Sequence, residues 1–325
     1  MQPYVIAIIV IGAVICLTFA LAVLTYCAAF GKRCDRNPLL KYFTAEDFGL
    51  AAEEFSLGKL KGAIYKSESA DKRDGVVVFV HGMGPGHCAY MTEIAYFCGL
   101  GYTVVAADSL GCGASKGRSI RGMYEGVKSA VKTVDFAKKQ FAGEKIYLAG
   151  HSWGAYSALC ASAEIKVDKV AAISAPSTPV KTLREGAARF ISKPLAYILS
   201  PFWYIINFLV FGTKGNKSAV KCARINGTRT LLIHGGKDGI VTPVKAAYYG
   251  VYGENVTKFF DENKAHNPYN TVSAEAKLAE LNAALFRARK MTEEERKEYF
   301  GNFDYKGATE EDVAVMGVIK EFLED

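Results

Sequence analysis

Between Ile146 and Leu159 the chain runs Ile-Tyr-Leu-Ala, then Gly150-His151-Ser152-Trp153-Gly154, then Ala-Tyr-Ser-Ala-Leu. This reads as a short strand, a sharp reversal and a helix start. Such a turn lifts Ser152 out of the sheet, with its hydroxyl exposed and a helix N-terminus behind it. The two glycines let the backbone turn and pack where a Cβ would collide. The reading is a nucleophilic serine. The bare G-x-S-x-G spacing is a weak signal in a chain with 31 glycines. The rival reading is a turn in which the serine merely caps the helix, so the surrounding elements and the partner side chains must decide.

Those elements repeat the same unit. Val76–Val80 is a continuous β-branched and aromatic run, as a strand buried on both faces requires. Further strands are predicted at 102–107, 145–149, 169–174, 228–234 and 255–260, after an entry hairpin at 55–65. Helices are predicted at 88–100, 121–141, after Ser152, at 243–251, and over 272–299 and 309–324. Strands alternating with helices imply an α/β fold with a mainly parallel sheet covered on both faces. The interval from Ala175 to Arg224 breaks the alternation. Its apolar stretch Pro194–Phe211, interrupted by Pro201 and Asn207, reads as a helical lid over the serine, with a second membrane span as the alternative.

The N-terminus is of another kind. The chain carries no charge before Lys32, and Tyr4–Phe30 is almost wholly apolar. As a helix it would extend about 40 Å, against a hydrocarbon core of about 30 Å. A cleavable signal peptide expects a basic start and a shorter apolar run; here the start is Met1-Gln2-Pro3. A lipoprotein signal at Cys27 is disfavoured by the bulky Tyr26 before it. The expectation is therefore a transmembrane anchor at 4–30, a juxtamembrane linker at 31–47 and an enzyme domain at 48–325, with the lid at about 176–225. Lys32, Arg33, Arg36 and Lys41 follow the segment and nothing basic precedes it, which predicts a single-pass protein with its large part in the cytoplasm.

Net charge is +7, with no Lys/Arg run longer than two, so no dedicated nucleic-acid surface is expected. The eight cysteines form no C-x-x-C pair and suggest neither a disulfide framework nor a zinc site. Oligomeric state is not legible.

A serine hydroxyl needs a base to take its proton. Of the five histidines, His151 belongs to the turn, His81 and His234 end strands, and His87 lies in a glycine-rich loop. His266 follows the last predicted strand on a loop that can reach the same sheet edge, and is the preferred base. Asp238, after the strand ending near His234, is the preferred carboxylate to fix the imidazole, with Asp261 and Glu262 as rivals. The order is then Ser152, Asp238, His266. The loop His81-Gly-Met-Gly-Pro-Gly86 would supply one oxyanion donor, the Met83 amide, with the Trp153 amide as the other.

Taken together, His81-Gly-Met-Gly84, Asp108–Ser115, Gly150–Gly154, Gly236-Lys-Asp238 and Ala265-His266 resemble an α/β-hydrolase of the serine-aminopeptidase (S33) and monoacylglycerol-lipase-like group, over about residues 50–270. The resemblance implies an eight-stranded sheet, a lid after the sixth strand, and no metal or organic cofactor. It makes Asp108 a turn residue. The chain departs from the pattern in its N-terminal segment and in the charged stretch between His266 and the closing helix, read as a solvated helical insert.

The resulting expectation is a membrane-anchored serine esterase acting on lipid-like acyl esters, a lysophospholipid or monoacylglycerol. The lid aromatics Phe202, Trp203, Tyr204, Phe208 and Phe211 are the expected acyl contacts. The alternatives are an aminopeptidase-like enzyme, disfavoured because Glu185 is the lone acidic residue between Ala175 and Arg224, and an inactive membrane-tethered scaffold.

Overall fold

The computed structural model describes residues 2–71 and 75–325. Its helices are α1 (Pro3–Phe30), α2 (Met91–Gly99), α3 (Tyr124–Gln140), α4 (Trp153–Ala161), α5 (Pro179–Ala187), α6 (Lys193–Phe211), α7 (Ala219–Ile225), α8 (Val272–Arg287), α9 (Glu293–Asn302), α10 (Tyr305–Ala308) and α11 (Val313–Glu324). Its strands are β1 (Leu50–Leu57), β2 (Leu60–Ser67), β3 (Val76–Val80), β4 (Thr103–Ala107), β5 (Ile146–His151), β6 (Lys169–Ile173), β7 (Arg229–Gly235) and β8 (Val256–Asp261).

Among the described residues these strands make one eight-stranded sheet, in the order β1-β2-β4-β3-β5-β6-β7-β8. The hairpin β1–β2 joins β4 antiparallel, and every pairing from β4 to β8 is parallel. The expected α/β-hydrolase sheet is present. Successive side chains of a strand face opposite ways. Val76, Val78 and Val80 therefore enter the layer built with α3 and α4, while Val77 and Phe79 enter the layer built with α2 and α11. Burial on both faces is why β3 reads as an unbroken apolar run. The parallel strands all point the same way, so the loops after β3, β5, β7 and β8 gather at one rim.

Three features go beyond the sequence reading. First, the segment expected as an anchor and linker packs against the domain that carries the sheet. Ala22, Tyr26 and Phe30, spaced four apart on one face of α1, are buried in the same core as the sheet. The Tyr26 hydroxyl lies 2.9 Å from both the Arg121 carbonyl and Asn207 Oδ1. Beyond α1, the Arg33 guanidinium donates to the carbonyls of Gly113, Ser115 and Gly117. Cys34 pairs its backbone with Gly111 and Gly113, and Leu39 and Leu40 pack beneath α8 and α9. A sequence reading weighs apolar length and misses this docking, because it depends on partners far along the chain.

Second, α6 packs its inner face on α1. Trp203, fully buried, donates from Nε1 to the Ala22 carbonyl and Thr25 Oγ1, each at 3.1 Å.

Third, the predicted 272–299 helix is two helices. The helix breaks after Arg287 and restarts at a capping box, in which Thr292 and Glu295 each satisfy the other's backbone amide. The 243–251 stretch is likewise two single turns, separated by extended Ala246.

Candidate active site

Ser152 stands between β5 and α4 with φ 56° and ψ −118°. A non-glycine residue there is strained, and the strain persists only because its surroundings fix it. They do: the Ser152 amide donates to the Ile173 carbonyl at 2.8 Å. A Cβ on Gly154 would overlap the Val80 carbonyl, so only glycine lets α4 approach β3 this closely.

His266 reaches the same rim from the loop after β8. Its Nε2 is 3.0 Å from Ser152 Oγ and its Nδ1 is 2.8 Å from Asp238 Oδ2. Nδ1–H therefore donates to the carboxylate and Nε2 is left to accept from the hydroxyl. Asp238 lies on the turn after β7, where its Oδ1 accepts from the amides of Ile240 at 2.7 Å and Val241 at 2.8 Å. Burial opposes its charge. The His266 hydrogen bond and charge, together with those two amides, outweigh burial and hold the carboxyl below its ordinary range. His234 sits beneath it, with Nε2 donating to the Val241 carbonyl at 3.0 Å and so bracing the same turn.

The structure thus brings Ser152, Asp238 and His266 together, and leaves the rivals Asp261 and Glu262 out of this hydrogen-bonded chain. The Met83 loop also arrives at the site. Gly82 abuts His151, where a Cβ would meet its carbonyl, and the Gly82 amide donates to the Tyr90 hydroxyl at 3.1 Å. Among the described residues, neither the Met83 nor the Trp153 amide donates a hydrogen bond within the chain. Asp108 lies outside the triad. It accepts from the backbone and ring of His87 and from the Ala114 amide, which folds the loop behind the rim.

Four supporting residues were not legible from the sequence. The His266 carbonyl accepts from His151 Nε2 and from Ser174 Oγ, both at 2.8 Å. The Glu275 carboxylate accepts from the amides of Ala265 and Asn267, on either side of His266. Tyr90 lies 3.0 Å from His151 Nδ1. His151 Nε2 must carry its proton to donate to a carbonyl, so Nδ1 accepts from the Tyr90 hydroxyl. Burial, and then the neighbouring His266, lower the His151 pKa to about 3, which keeps that pattern neutral. Thr271 and Glu275 do mark a helix start in the sequence, but nothing there says that the carboxylate turns back to the preceding loop.

The aromatics of the expected lid have different surroundings. Phe202 meets Phe19 of α1, and Phe211 meets Tyr124 with the Arg121 guanidinium over its ring. Tyr204 and Phe208 are exposed. Of the five only Trp203 borders the apolar cavity beside Met83, a space of about 400 Å³ between α1, α5 and the middle of α6. A cleft of about 610 Å³ between α8 and α9 is larger, but charged Lys277, Glu280, Glu295 and Glu298 line it and none of the triad is there.

A family model described as serine aminopeptidase, S33, matches residues 71–222, which include the Met83 loop and the Ser152 turn. Epoxide hydrolase B of Mycobacterium tuberculosis is 31% identical over 85 residues, 26% of this chain and 24% of that protein. Human protein ABHD8 is 33% identical over 81 residues, 25% of this chain and 18% of that protein. The chain thus matches about a quarter or less of the length of these curated relatives. The solved Pyrococcus furiosus esterase Pf2001 superposes with a TM-score of 0.55 at 18% identity, over 79% of this chain and 98% of that one. At that identity the likeness is one of fold.

Proposed function

We propose that this chain, which has the α/β-hydrolase fold and matches a serine aminopeptidase, S33, family model over residues 71–222, is a membrane-anchored serine esterase of lipid-like acyl esters, a lysophospholipid or a monoacylglycerol. The observation that carries the reading is the unbroken hydrogen-bond chain from Ser152 through His266 to Asp238, at 3.0 and 2.8 Å. In this mechanism His266 Nε2 takes the Ser152 proton as Oγ attacks the ester carbonyl. The Met83 and Trp153 amides receive the oxyanion, each such donor contributing about 2.7–4 kcal/mol to the transition state. The imidazolium, held by Asp238, then gives its proton to the leaving alcohol, leaving the acyl group on Ser152. Water, deprotonated by the same nitrogen, releases the acid.

Two features support a lipid-like acyl group. One is the apolar cavity beside Met83. The other is α1, long enough and apolar enough to hold the enzyme at a bilayer. The basic residues just after α1 support a single-pass, cytoplasm-facing arrangement. A peptidase would need a free carboxylate in the lid to hold a substrate amine, whereas Glu185 faces Lys245 at 3.5 Å.

The test is fluorophosphonate labelling of the detergent-solubilised full chain, followed by a substrate screen. Wild type should label and Ser152→Ala should not. Lysophospholipids and monoacylglycerols should be cleaved in preference to aminoacyl amides. Labelling that survives in the alanine variant would remove Ser152 as nucleophile, and preferential amide cleavage would replace the esterase reading. For topology, surface exposure of a C-terminal tag on intact cells would overturn the cytoplasmic placement.

A further inference from the structure

We infer that α1 is one wall of the acyl-chain site as well as a tether, and that the chain enters the cavity sideways from the lipid leaflet, between α1 and α5. The inference rests on the lipid-ester reading and adds which residues meet the acyl chain and from where it comes.

The cavity is dry by construction. Ala28 and Ala29 of α1, Leu183 of α5, Phe190 of the following turn and Met83 line it. The hydroxyls that border it are already engaged. Thr25 Oγ1 donates to carbonyls one turn back and receives Trp203 Nε1, and Thr182 Oγ1 donates to the Thr178 carbonyl. The space therefore offers a ligand methyls, methylenes and rings, and no unpaired side-chain dipole. Its volume of about 400 Å³ lies within the range of small-molecule sites, about 300–1,000 Å³. Met83, whose amide is the proposed oxyanion donor, borders the cavity, so the acyl chain extending from the scissile carbonyl is the part of the ester assigned to it.

The depth of α1 sets the direction of entry. From Pro3 to Leu17 every residue of α1 except Val5 is exposed, a free length of about 22 Å at about 1.5 Å per residue. A hydrocarbon core is about 30 Å thick. The shortfall falls on Thr18–Ala22, the part of α1 that meets Phe202 and Trp203 of α6, and any tilt increases it. The outer face of α6 is consequently carried into the leaflet. That explains why Tyr197, Ile198, Tyr204, Ile205, Phe208 and Leu209 stand exposed on one helix. Ala28 and Ala29 lie six and seven residues past Ala22, about 10 Å further along α1, and a tilted α1 brings them toward the boundary where lipid ester carbonyls sit; Phe190, 89% exposed, marks the opening.

The test uses the full chain in lipid nanodiscs, with acetyl, octanoyl and palmitoyl esters of one chromogenic alcohol. Ala28→Phe and Ala29→Phe put a ring into the cavity at exposed positions where no core packing is lost. Leu24→Phe adds bulk at a lipid-facing position of the same helix outside the cavity. The cavity variants should lose about tenfold or more in kcat/KM for the palmitoyl ester, the scale of a mis-sized apolar site. Their acetyl-ester turnover should stay near wild type, and Leu24→Phe should change neither. An unchanged chain-length profile in both alanine variants would overturn the inference. Hydrolysis of the acetyl ester and fluorophosphonate labelling would then still stand, leaving an esterase with its acyl site elsewhere. Failure of wild type to cleave any of the esters would remove the esterase reading and this inference together.

Discussion

At the sheet rim, both ring nitrogens and the carbonyl of His266 have directional partners: Asp238 and Ser152 on the ring, His151 and Ser174 on the carbonyl. Around the cavity, α1, α5 and Trp203 of α6 meet largely through alanines, Leu183 and aromatic rings. The two regions answer different demands. Proton transfer tolerates little error in heavy-atom distance, and hydrogen bonds are the interaction that fixes distance and angle. An acyl chain is flexible and featureless, and dispersion against an apolar wall accepts it without specifying it. If this contrast is right, damage to the rim should abolish turnover of every ester, while damage to the wall should cost stability or chain-length selectivity and spare the chemistry.

The largest effect should come from the rim. Asp238→Asn keeps the shape but loses the acceptor that fixes the His266 tautomer. Its kcat should fall about 10⁴-fold, as for loss of the carboxylate in a serine triad. Steady-state kinetics with a soluble acetyl ester would measure this. A loss confined to KM would mean that Asp238 merely shapes a binding surface.

Trp203→Ala attacks the wall. The side chain is fully buried and ties α6 to α1 through both its ring and its Nε1–H. Truncating a buried tryptophan costs about 3–5 kcal/mol. Thermal unfolding should report that loss and palmitoyl-ester cleavage should drop with it. Acetyl-ester kcat should hold in the folded fraction. Equal loss on both esters would mean that rim and wall are one mechanical unit.

These two regions also differ in how far the sequence discloses them. The rim was legible because its signals are local: a serine between two glycines after a strand, and a histidine and an aspartate each just past a strand end. The parallel sheet then carries those ends to one side. The wall was not. Tyr26 meets Arg121 and Asn207, and Trp203 meets Ala22, across separations that no periodicity encodes. The same apolar composition suits a free anchor, a lid over the serine, or the two packed together. Which face of α6 turns inward is decided by tertiary contacts, and so the sequence does not say which of the lid aromatics border the cavity.

A smaller effect tests whether the rim's support is electrostatically sound. Glu93 and Glu311 lie buried near Tyr269, whose ring meets His151 at 5.2 Å. Burial, and for Glu311 also the neighbouring Glu93, push both carboxyls above their ordinary range. The sign follows by linkage. The folded state holds these protons more tightly than the unfolded chain, so the stabilising contribution is complete below the ordinary carboxylate pKa of about 4.3 and declines as pH rises above it. Stability should therefore fall from mildly acid to mildly alkaline pH. Glu311→Gln cannot ionise and should flatten that fall, gaining about 1–3 kcal/mol at alkaline pH, the scale for an unsatisfied buried polar group. Thermal melts of both proteins across that pH range give the slopes, and parallel slopes would rule out this pair as their source.

The smallest effect isolates what α1 contributes to docking. Tyr26→Phe keeps the ring in the core and removes only the hydroxyl, which lies 2.9 Å from the Arg121 carbonyl and from Asn207 Oδ1. An intramolecular hydrogen bond of this kind contributes about 0.5–1.5 kcal/mol net. The loss here should sit at the upper end, because Asn207 is fully buried and its oxygen is left facing a ring edge. Acetyl-ester turnover should be unaffected. Hydrogen exchange at the Arg121 and Gly122 amides should quicken, since the Arg121 amide donates to the Phe30 carbonyl at the end of α1 and Gly122 packs against the Tyr26 hydroxyl. Unchanged exchange there, with stability equal to wild type, would show that the Tyr26 ring, and not its hydroxyl, holds this part of α1. Its inner end would then follow the same rule as the rest of the wall, and the contrast with the rim would be sharper than the one drawn from the geometry.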